Sequence, residues 1–245
     1  MLALLVSLTV VVSLLVYGYG ILVNFDKVRD MQRQFGNVLL LTAHPDDECM
    51  FFGPTLQALR HPTRVHVLCL STGNAEGLGE TRKKELQKSC QVFQLSRGNV
   101  KAIEHPELQD GMTTEWSPQV IADLIENYVK KHAVDTIVTF DEHGVSGHPN
   151  HKAAFFGAKT FVSQSKRRVA LYKLVSISLV RKYIGIADLI VCKALQTPVL
   201  VSSPGEYWMT LKAMRQHLSQ LVWFRYLYVS FSRYMFINEL KKEDV

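Results

Sequence analysis

His44-Pro45-Asp46-Asp47-Glu48 puts one imidazole and three carboxylates into five residues, directly behind the apolar run Val38-Leu39-Leu40-Leu41. An imidazole nitrogen with a carboxylate oxygen suits a zinc ion. His44 and Asp47 are three apart and could converge on one. The same residues also fit a plainer reading, a polar turn between a strand and a helix with Asp46 or Asp47 as the helix cap. A second group separates the two. Gly144-Val145-Ser146-Gly147-His148-Pro149-Asn150-His151 follows another apolar run, Thr136 to Phe140. Two histidine-bearing clusters, each just past a strand-like run, point to a site.

The elements that must position them can be read from pattern. Runs that are apolar on both faces are buried parallel strands. Ligands of open α/β sheets bind at the carboxyl ends of the strands, so both clusters fall along one sheet edge. Pro45 biases His44 toward an extended conformation, and the chain leaves its strand in a sharp turn. Besides the strand over 37–43, strands are expected over 64–71, 100–103, 134–140, 169–175 and 199–201. Helices are expected over 50–60, with a break at Gly53-Pro54, and over 80–95, where Leu86, Cys90 and Phe93 keep helical spacing. A third starts at Ser117-Pro118, a cap followed by proline at the first helical position. A fourth, over about 150–161, puts His148 and His151 at its start, where i, i+3 spacing lets both point at one site. A fifth covers 204–221. His143 reads as solvated, and the stretch up to Cys192 specifies no element. The glycine-rich loop Thr72 to Gly79 lacks the Gly-Lys-Ser/Thr ending of a phosphate loop, and no Gly-x-Gly-x-x-Gly follows a strand. The fold class is α/β, a Rossmann-like, mostly parallel sheet flanked by helices.

Composition narrows the partners. The 245 residues carry a formal charge of +6 with no run of five basic residues, a poor footprint for nucleic acid. The charge fits an anionic membrane surface or a phosphorylated substrate, and also mere solubility. Cys49, Cys69, Cys90 and Cys192 form no Cys-x-x-Cys pair and read as reduced, buried side chains, which fits the cytosol. Leu2 to Val23 carries no charge. As a helix it spans about 33 Å, enough for a bilayer, with Tyr17 and Tyr19 near one end. Lys27, Arg29 and Arg33 follow, which sets the rest of the chain on the cytosolic side. A cleaved signal peptide ending near Gly18-Tyr19-Gly20 is the alternative. The division is thus an N-terminal transmembrane anchor (2–23), a connector (24–36) and one catalytic domain (37–245). Within the domain, 221–240 crowds Trp223, Phe224, Tyr226, Tyr228, Phe231, Tyr234 and Phe236 around Arg225 and Arg233. That segment is either a core helix or an interfacial helix lying on a membrane.

His-Pro-Asp-Asp-Glu followed about a hundred residues later by His-x-x-His resembles the zinc-dependent N-acetylglucosaminyl deacetylase family. The resemblance implies amide hydrolysis, with His44, Asp47 and His151 as metal ligands and Asp46 as general base. Three ligands would leave the open position of a catalytic zinc site; iron(II) or cobalt would suit the same donors. His148 is implied as a cationic partner for the oxyanion and a donor to the leaving amine. Gly79-x-x-Arg82-x-x-Glu85 matches a family segment whose arginine holds an anionic or hydroxyl-rich part of the substrate. From the residues alone, Arg82 and Glu85 read as a surface i, i+3 pair. Glu48 either orients a ligand histidine or supplies charge at a helix N-terminus.

Feature order along the whole chain is similar to the branch acting on N-acetylglucosaminyl-phosphatidylinositol. It includes Gly144 to His148, Arg225-Tyr-Leu-Tyr and Phe231-Ser-Arg-Tyr. The implied products are glucosaminyl-phosphatidylinositol and acetate, the second step of GPI-anchor biosynthesis. The implied place is the endoplasmic reticulum membrane, single-pass, with the catalytic domain facing the cytoplasm. A deacetylase of a soluble or secreted aminosugar and a non-catalytic glycolipid- or subunit-binding scaffold are the rival readings. The sequence names no protein partner.

Overall fold

Val38, Leu39, Leu40 and Leu41 are each no more than 1% exposed. They lie on strand β1 (Asn37–Thr42), at the centre of the main sheet. The computed structural model describes residues 34–60, 64–111 and 114–245, together with Gly18 and Asp30. The apolar segment 2–23 and most of the 24–36 connector lie outside the described residues, save for Gly18.

β2 (Arg64–Cys69) pairs in parallel with β1 on one side, and β3 (Val100–Ala102) extends that side. On the other side of β1 the chain places β4 (Thr136–Phe140) and then β5 (Ala170–Leu174), both parallel. Parallel neighbours need long crossovers. Here they carry the helices Gly53–Leu59, Gly79–Val92, Pro118–His132 and Pro149–Gln164. The order β3-β2-β1-β4-β5 reverses direction between β1 and β4. In a doubly wound sheet that reversal opens a crevice beyond the strands' carboxyl ends. The register Val38 to Thr136 and Leu40 to Val138 brings those two ends side by side.

The expected strands and helices are present, with shifted ends. The break in the first helix falls earlier, giving the turn Asp47–Met50 and then Gly53–Leu59 with Pro54 in its first turn. Ser117 Oγ accepts from Val120 N at 3.5 Å at the start of Pro118–His132. The helix Pro204–Met214 stops short of 221, and a single turn, Leu218–Gln220, follows it. The stretch that specified nothing forms two short helices, Leu179–Tyr183 and Asp188–Ala194. They are docked by Asp188, fully buried, which receives Arg181 Nε at 2.7 Å and Arg233 Nε at 2.9 Å.

That burial of Arg233 also corrects the tail. The segment 221–240 is not one helix. Trp223–Phe231 is helical, Ser232 turns extended at φ −70°, ψ 126°, and a turn at Arg233–Met235 follows. Then β7 (Ile237–Asn238) pairs with β6 (Leu200–Val201), and β8 (Leu240–Lys242) closes the main sheet antiparallel to β5. All four cysteines are free and buried. Among the described residues no helix is long and apolar enough to cross a membrane.

Candidate active site

Behind β1 the chain turns at Asp46, whose φ of 111° and ψ of −22° place a side-chain-bearing residue in a disfavoured region. Such a conformation costs about 1–3 kcal/mol and persists only where the surroundings over-determine it. Here the motif's own carboxylates do so. Asp47 Oδ2 accepts from Ala43 N at 3.0 Å and His44 N at 2.8 Å, and Glu48 Oε2 accepts from Asp46 N at 3.1 Å. Behind β4, Asp141 performs the matching task. Its carboxylate accepts from the backbone N–H groups of His143, Gly144 and Ser176 and from the Ser176 hydroxyl. Gly144 has φ +59°, and a Cβ there would meet His151 Cβ at 2.9 Å, so the loop requires glycine at this point.

These two turns bring the predicted ligands together. His151 Nε2 is 3.3 Å from Asp47 Oδ1, and His44 Nδ1 is 3.8 Å from Asp47 Oδ2. Donor atoms of all three residues lie within 4.8 Å of one another. The hydrogen bonds around them test whether a metal ion fits. His151 Nδ1 donates to Gly144 O at 3.1 Å, which leaves Nε2 as the ring nitrogen that faces the Asp47 carboxylate and is placed to ligate a metal ion. A divalent cation between that nitrogen and the carboxylate oxygen would satisfy both. Asn150 Oδ1 is buried without a partner, while its amide lies 3.0 Å from His44 Nε2. Both are satisfied when the amide oxygen faces an Nε2–H, an assignment made from the hydrogen-bond network. That tautomer turns the His44 Nδ1 lone pair toward Asp47. The donor set therefore fits a divalent ion of the zinc type.

Charge follows the same layout. Burial would raise the Asp47 pKa, but the His151 and His44 imidazoles beside it hold it well below the usual carboxylate range. Asp46 behaves oppositely. Burial raises its pKa, helped by the Asp47 charge, although Arg225 and His217 oppose the rise. Arg225 Nη2 sits 2.9 Å from Asp46 Oδ2, and Oδ1 has no hydrogen-bond partner among the described residues. His148 is pushed down to about 4 by burial and by the neighbouring His151 and His44. That shift favours a neutral imidazole over the cation that the resemblance implies. Its Nδ1 accepts from Asn150 N at 3.2 Å, which puts the ring proton on Nε2.

Glu48 lies in the first turn of Asp47–Met50, as its helix-terminus reading has it, and the Arg82–Glu85 reading changes. Glu48 touches neither ligand histidine. Its carboxylate is sealed with Ser89 Oγ at 2.5 Å and His217 Nε2 at 2.7 Å, and Glu48 and His217 are both fully buried. Arg82 and Glu85 are not a surface pair. Arg82 is 7% exposed and donates to Gly73 O, Pro45 O and Asp110, while Glu85 accepts from Ser219 N and Oγ. Arg82 lines the cavity and also ties its loops together. His143 is exposed, as expected.

Sequence reasoning missed three residues. Asp110, from the loop after β3, lies 3.1 Å from His44 Nε2 and with His148 completes a second group of candidate donors around His44. Its signal was an Asp-Gly pair beyond a strand end on the same sheet edge. Arg225 read as an interruption of an aromatic segment and as part of the Arg-Tyr-Leu-Tyr resemblance, with no site role attached. His217, which forms a third buried donor group with Glu48 and Cys49, carried no signal at all. The ligand group opens into a cavity of about 750 Å³ whose far wall is apolar, formed by Tyr183, Trp223, Phe224, Leu227 and Phe231.

The chain matches the family described as PIG-L, GlcNAc-PI de-N-acetylase, over residues 39–162. It is 41% identical over 222 residues to the probable N-acetylglucosaminyl-phosphatidylinositol de-N-acetylase of Schizosaccharomyces pombe, covering 84% of this chain and 86% of that one. It is 43% identical over 209 residues to the N-acetylglucosaminyl-phosphatidylinositol de-N-acetylase of Bos taurus, covering 82% and 81%. In fold it is similar to the N,N'-diacetylchitobiose deacetylase of Pyrococcus horikoshii, with a TM-score of 0.64 at 17% identity over 86% of this chain and 85% of that one. It is similar also to a teicoplanin deacetylase solved in a zinc inhibited form, with a TM-score of 0.57 at 14% identity over 85% and 99%.

Proposed function

The chain belongs to the PIG-L family of GlcNAc-PI de-N-acetylases, and on that premise we propose that it hydrolyses the N-acetyl group of N-acetylglucosaminyl-phosphatidylinositol. The products are glucosaminyl-phosphatidylinositol and acetate, the second step of GPI-anchor biosynthesis. One observation carries the chemistry: Asp47 stands between the imidazoles of His44 and His151, with ring nitrogens 3.8 Å and 3.3 Å from its two oxygens, and the strained Asp46 shares the same cavity.

His44, Asp47 and His151 would hold the metal, zinc in this reading with iron(II) or cobalt as substitutes, and it would supply a Lewis acid for the acetamide carbonyl and a lowered pKa for water. Asp46 accepts the proton of the attacking water through Oδ1 while Arg225 fixes Oδ2. Its raised pKa makes it a stronger base than an ordinary aspartate. His148, neutral and protonated at Nε2, donates a hydrogen bond to the oxyanion as it forms. Asp46 then returns its proton to the departing amine. Glu48 holds the Asp46 backbone, and Arg82 holds the loop that carries Pro45.

The lipid end of the substrate accounts for the cavity's rim. Trp223 and Val180 are each 74% exposed, Leu218 73% and Leu179 72%. A rim of this kind, with Arg215 three residues before Leu218, suits the interface of a bilayer. The 2–23 segment as a transmembrane anchor, the 37–245 catalytic domain facing the cytoplasm, and residence in the endoplasmic reticulum membrane belong to this same proposal.

The test is acetate release by the full-length, detergent-solubilised chain given N-acetylglucosaminyl-phosphatidylinositol. Activity should fall with a chelator, return with stoichiometric zinc, and drop by at least about a hundredfold in Asp46→Asn. Acetate from octyl N-acetylglucosaminide alone would favour another aminosugar. No acetate from metal-loaded protein would favour a scaffold.

A further inference from the structure

Three cations line the cavity besides the histidines: Arg82, Arg225 and Lys182. Arg82 has Asp110 at 3.3 Å and Arg225 has Asp46 at 2.9 Å. Lys182 has no carboxylate within 4 Å among the described residues, although it is 5% exposed. Its Nζ donates to Ser146 Oγ at 2.6 Å and lies 5.5 Å and 5.8 Å from the ring centres of Tyr183 and Tyr228. Arg181, the residue before it, takes both oxygens of Asp188. The contrast is chemical. An ammonium has three protons to donate, and burying it without an anion is costly. Accordingly, desolvation lowers the Lys182 pKa with no charge to restore it.

The placement says what would restore it. Lys182 lies on the short helix Leu179–Tyr183, whose Leu179, Val180 and Tyr183 face outward on the rim. Its own side chain turns inward to the cavity that holds Asp46 and the ligand group. It therefore stands between the polar end of the cavity and its apolar wall. In a phosphatidylinositol glycoside the phosphodiester occupies the same middle position, between carbohydrate and acyl chains. We infer that Lys182, with the Ser146 hydroxyl, forms an anion subsite that takes the phosphodiester of the glycolipid, an inference that rests on the substrate reading above. Phosphate oxygens would accept the two Nζ protons that Ser146 leaves free. The subsite would thereby select substrates bearing a phosphate next to the sugar headgroup.

The test is calorimetric binding to the metal-loaded, full-length protein in detergent. The probes are the deacylated headgroup, N-acetylglucosaminyl-inositol phosphoglycerol, and the same glycoside without phosphate. Wild type should prefer the phosphorylated probe by about tenfold or more, the yield of one charge-assisted hydrogen bond. Lys182→Gln should bring the ratio near one, and Lys182→Arg should keep most of it. With the glycolipid substrate, Lys182→Gln should raise KM more than it lowers kcat. A ratio that survives in Lys182→Gln overturns the subsite. So does inorganic phosphate alone binding as tightly as the phosphorylated headgroup, because the site would then take free phosphate. Where Lys182→Gln fails to fold, Ser146→Ala carries the test and should reduce the ratio severalfold. Wild type that binds the phosphorylated probe preferentially yet releases no acetate sinks the deacetylase reading and leaves the subsite standing. Wild type that releases acetate with no preference for phosphate does the reverse.

Discussion

Removing His217 should be among the most damaging single changes outside the ligand group. Its imidazole and the Glu48 carboxylate are both fully buried, 2.7 Å apart. Burial alone would lower the His217 pKa, but the Glu48 charge and hydrogen bond carry it above its ordinary value of 6.5. Burial would raise Glu48, but His217 and Ser89 bring it below 4.5. The two groups are therefore an ion pair in the folded protein. His217→Phe keeps ring volume and strands a buried carboxylate, at a cost of about 3–5 kcal/mol. For a domain of this size that is a fall in Tm on the order of 10 °C. Glu48→Leu should cost a similar amount by stranding the imidazolium. The double variant Glu48→Leu/His217→Phe removes both charges together and should fall far short of the sum.

Urea unfolding of the four proteins, followed by tryptophan fluorescence, reads this cycle. The pair's contribution should be full between pH 4.5 and 6.5. It should fade as pH rises through the raised folded pKa of His217, and as pH falls through the depressed folded pKa of Glu48. Activity should part company with stability. Glu48 also accepts the N–H of Asp46, so the refolded double variant should lose about 10- to 100-fold in kcat. Additive single effects, or a double variant as active as wild type, would refute the view that this pair is a strut beneath the Asp46 turn.

Asp46→Gly should relieve the φ of 111° and stabilise the fold by about 1 kcal/mol while abolishing acetate release; a destabilised or active variant would remove the strain argument. His44→Ala, Asp47→Ala and His151→Ala should each lower bound metal per chain well below one, measured by elemental analysis after dialysis, whereas Asp110→Ala should keep it. His66, on β2, is pushed down to about 4 by burial, with the His132 and Arg64 charges adding to it. The unfolded chain therefore binds its proton first, and stability should fall by up to about 1.4 kcal/mol per pH unit from pH 6.5 toward 4. His66→Phe should flatten that slope in urea titrations, and equal slopes would show the charge is accommodated. Trp223→Ser/Phe224→Ser should cut retention of the 37–245 domain on anionic vesicles by about tenfold, and unchanged sedimentation would detach the rim from the membrane.

The parts of this protein legible in the sequence were those where one pattern decides one outcome. Val38 to Leu41 is apolar at every position, so only a strand covered on both faces can hold it. Two such strands ending in histidine clusters put both clusters on one sheet edge, and the pairing of β1 with β4 sets them side by side there. Contacts made at long range were invisible. His217 reaches Glu48 across 169 positions and Arg225 reaches Asp46 across 179. His217 sits in no motif, the Arg225-Tyr-Leu-Tyr stretch says nothing of a partner for its arginine, and each is placed by segments whose ends depend on tertiary packing. Arg82 and Glu85 show the same limit from the other side. Their i, i+3 spacing suggested a partnership, but burial sends one to Gly73, Pro45 and Asp110 and the other to Ser219. The tail failed as a single helix because aromatic richness says nothing about where Arg233 must go to meet Asp188.

The helix Trp223–Phe231 connects the rim of the cavity to the Asp46 turn. Its Trp223, Phe224, Leu227 and Phe231 are half-exposed or more, on the rim of the cavity. Its Arg225 holds Asp46 from inside, and Tyr228 donates to Met50 O at 3.2 Å, in the turn behind the motif. Nine residues thus form both the apolar lip and the wall behind Asp46. A helix this short has little stability of its own, so its position depends on those inward contacts. Anything that settles the outer face also steadies the Arg225 to Asp46 pair. A substrate whose acyl chains lie along the lip and whose sugar reaches Asp46 would engage both faces at once, and remote binding energy would then serve orientation at the reacting amide.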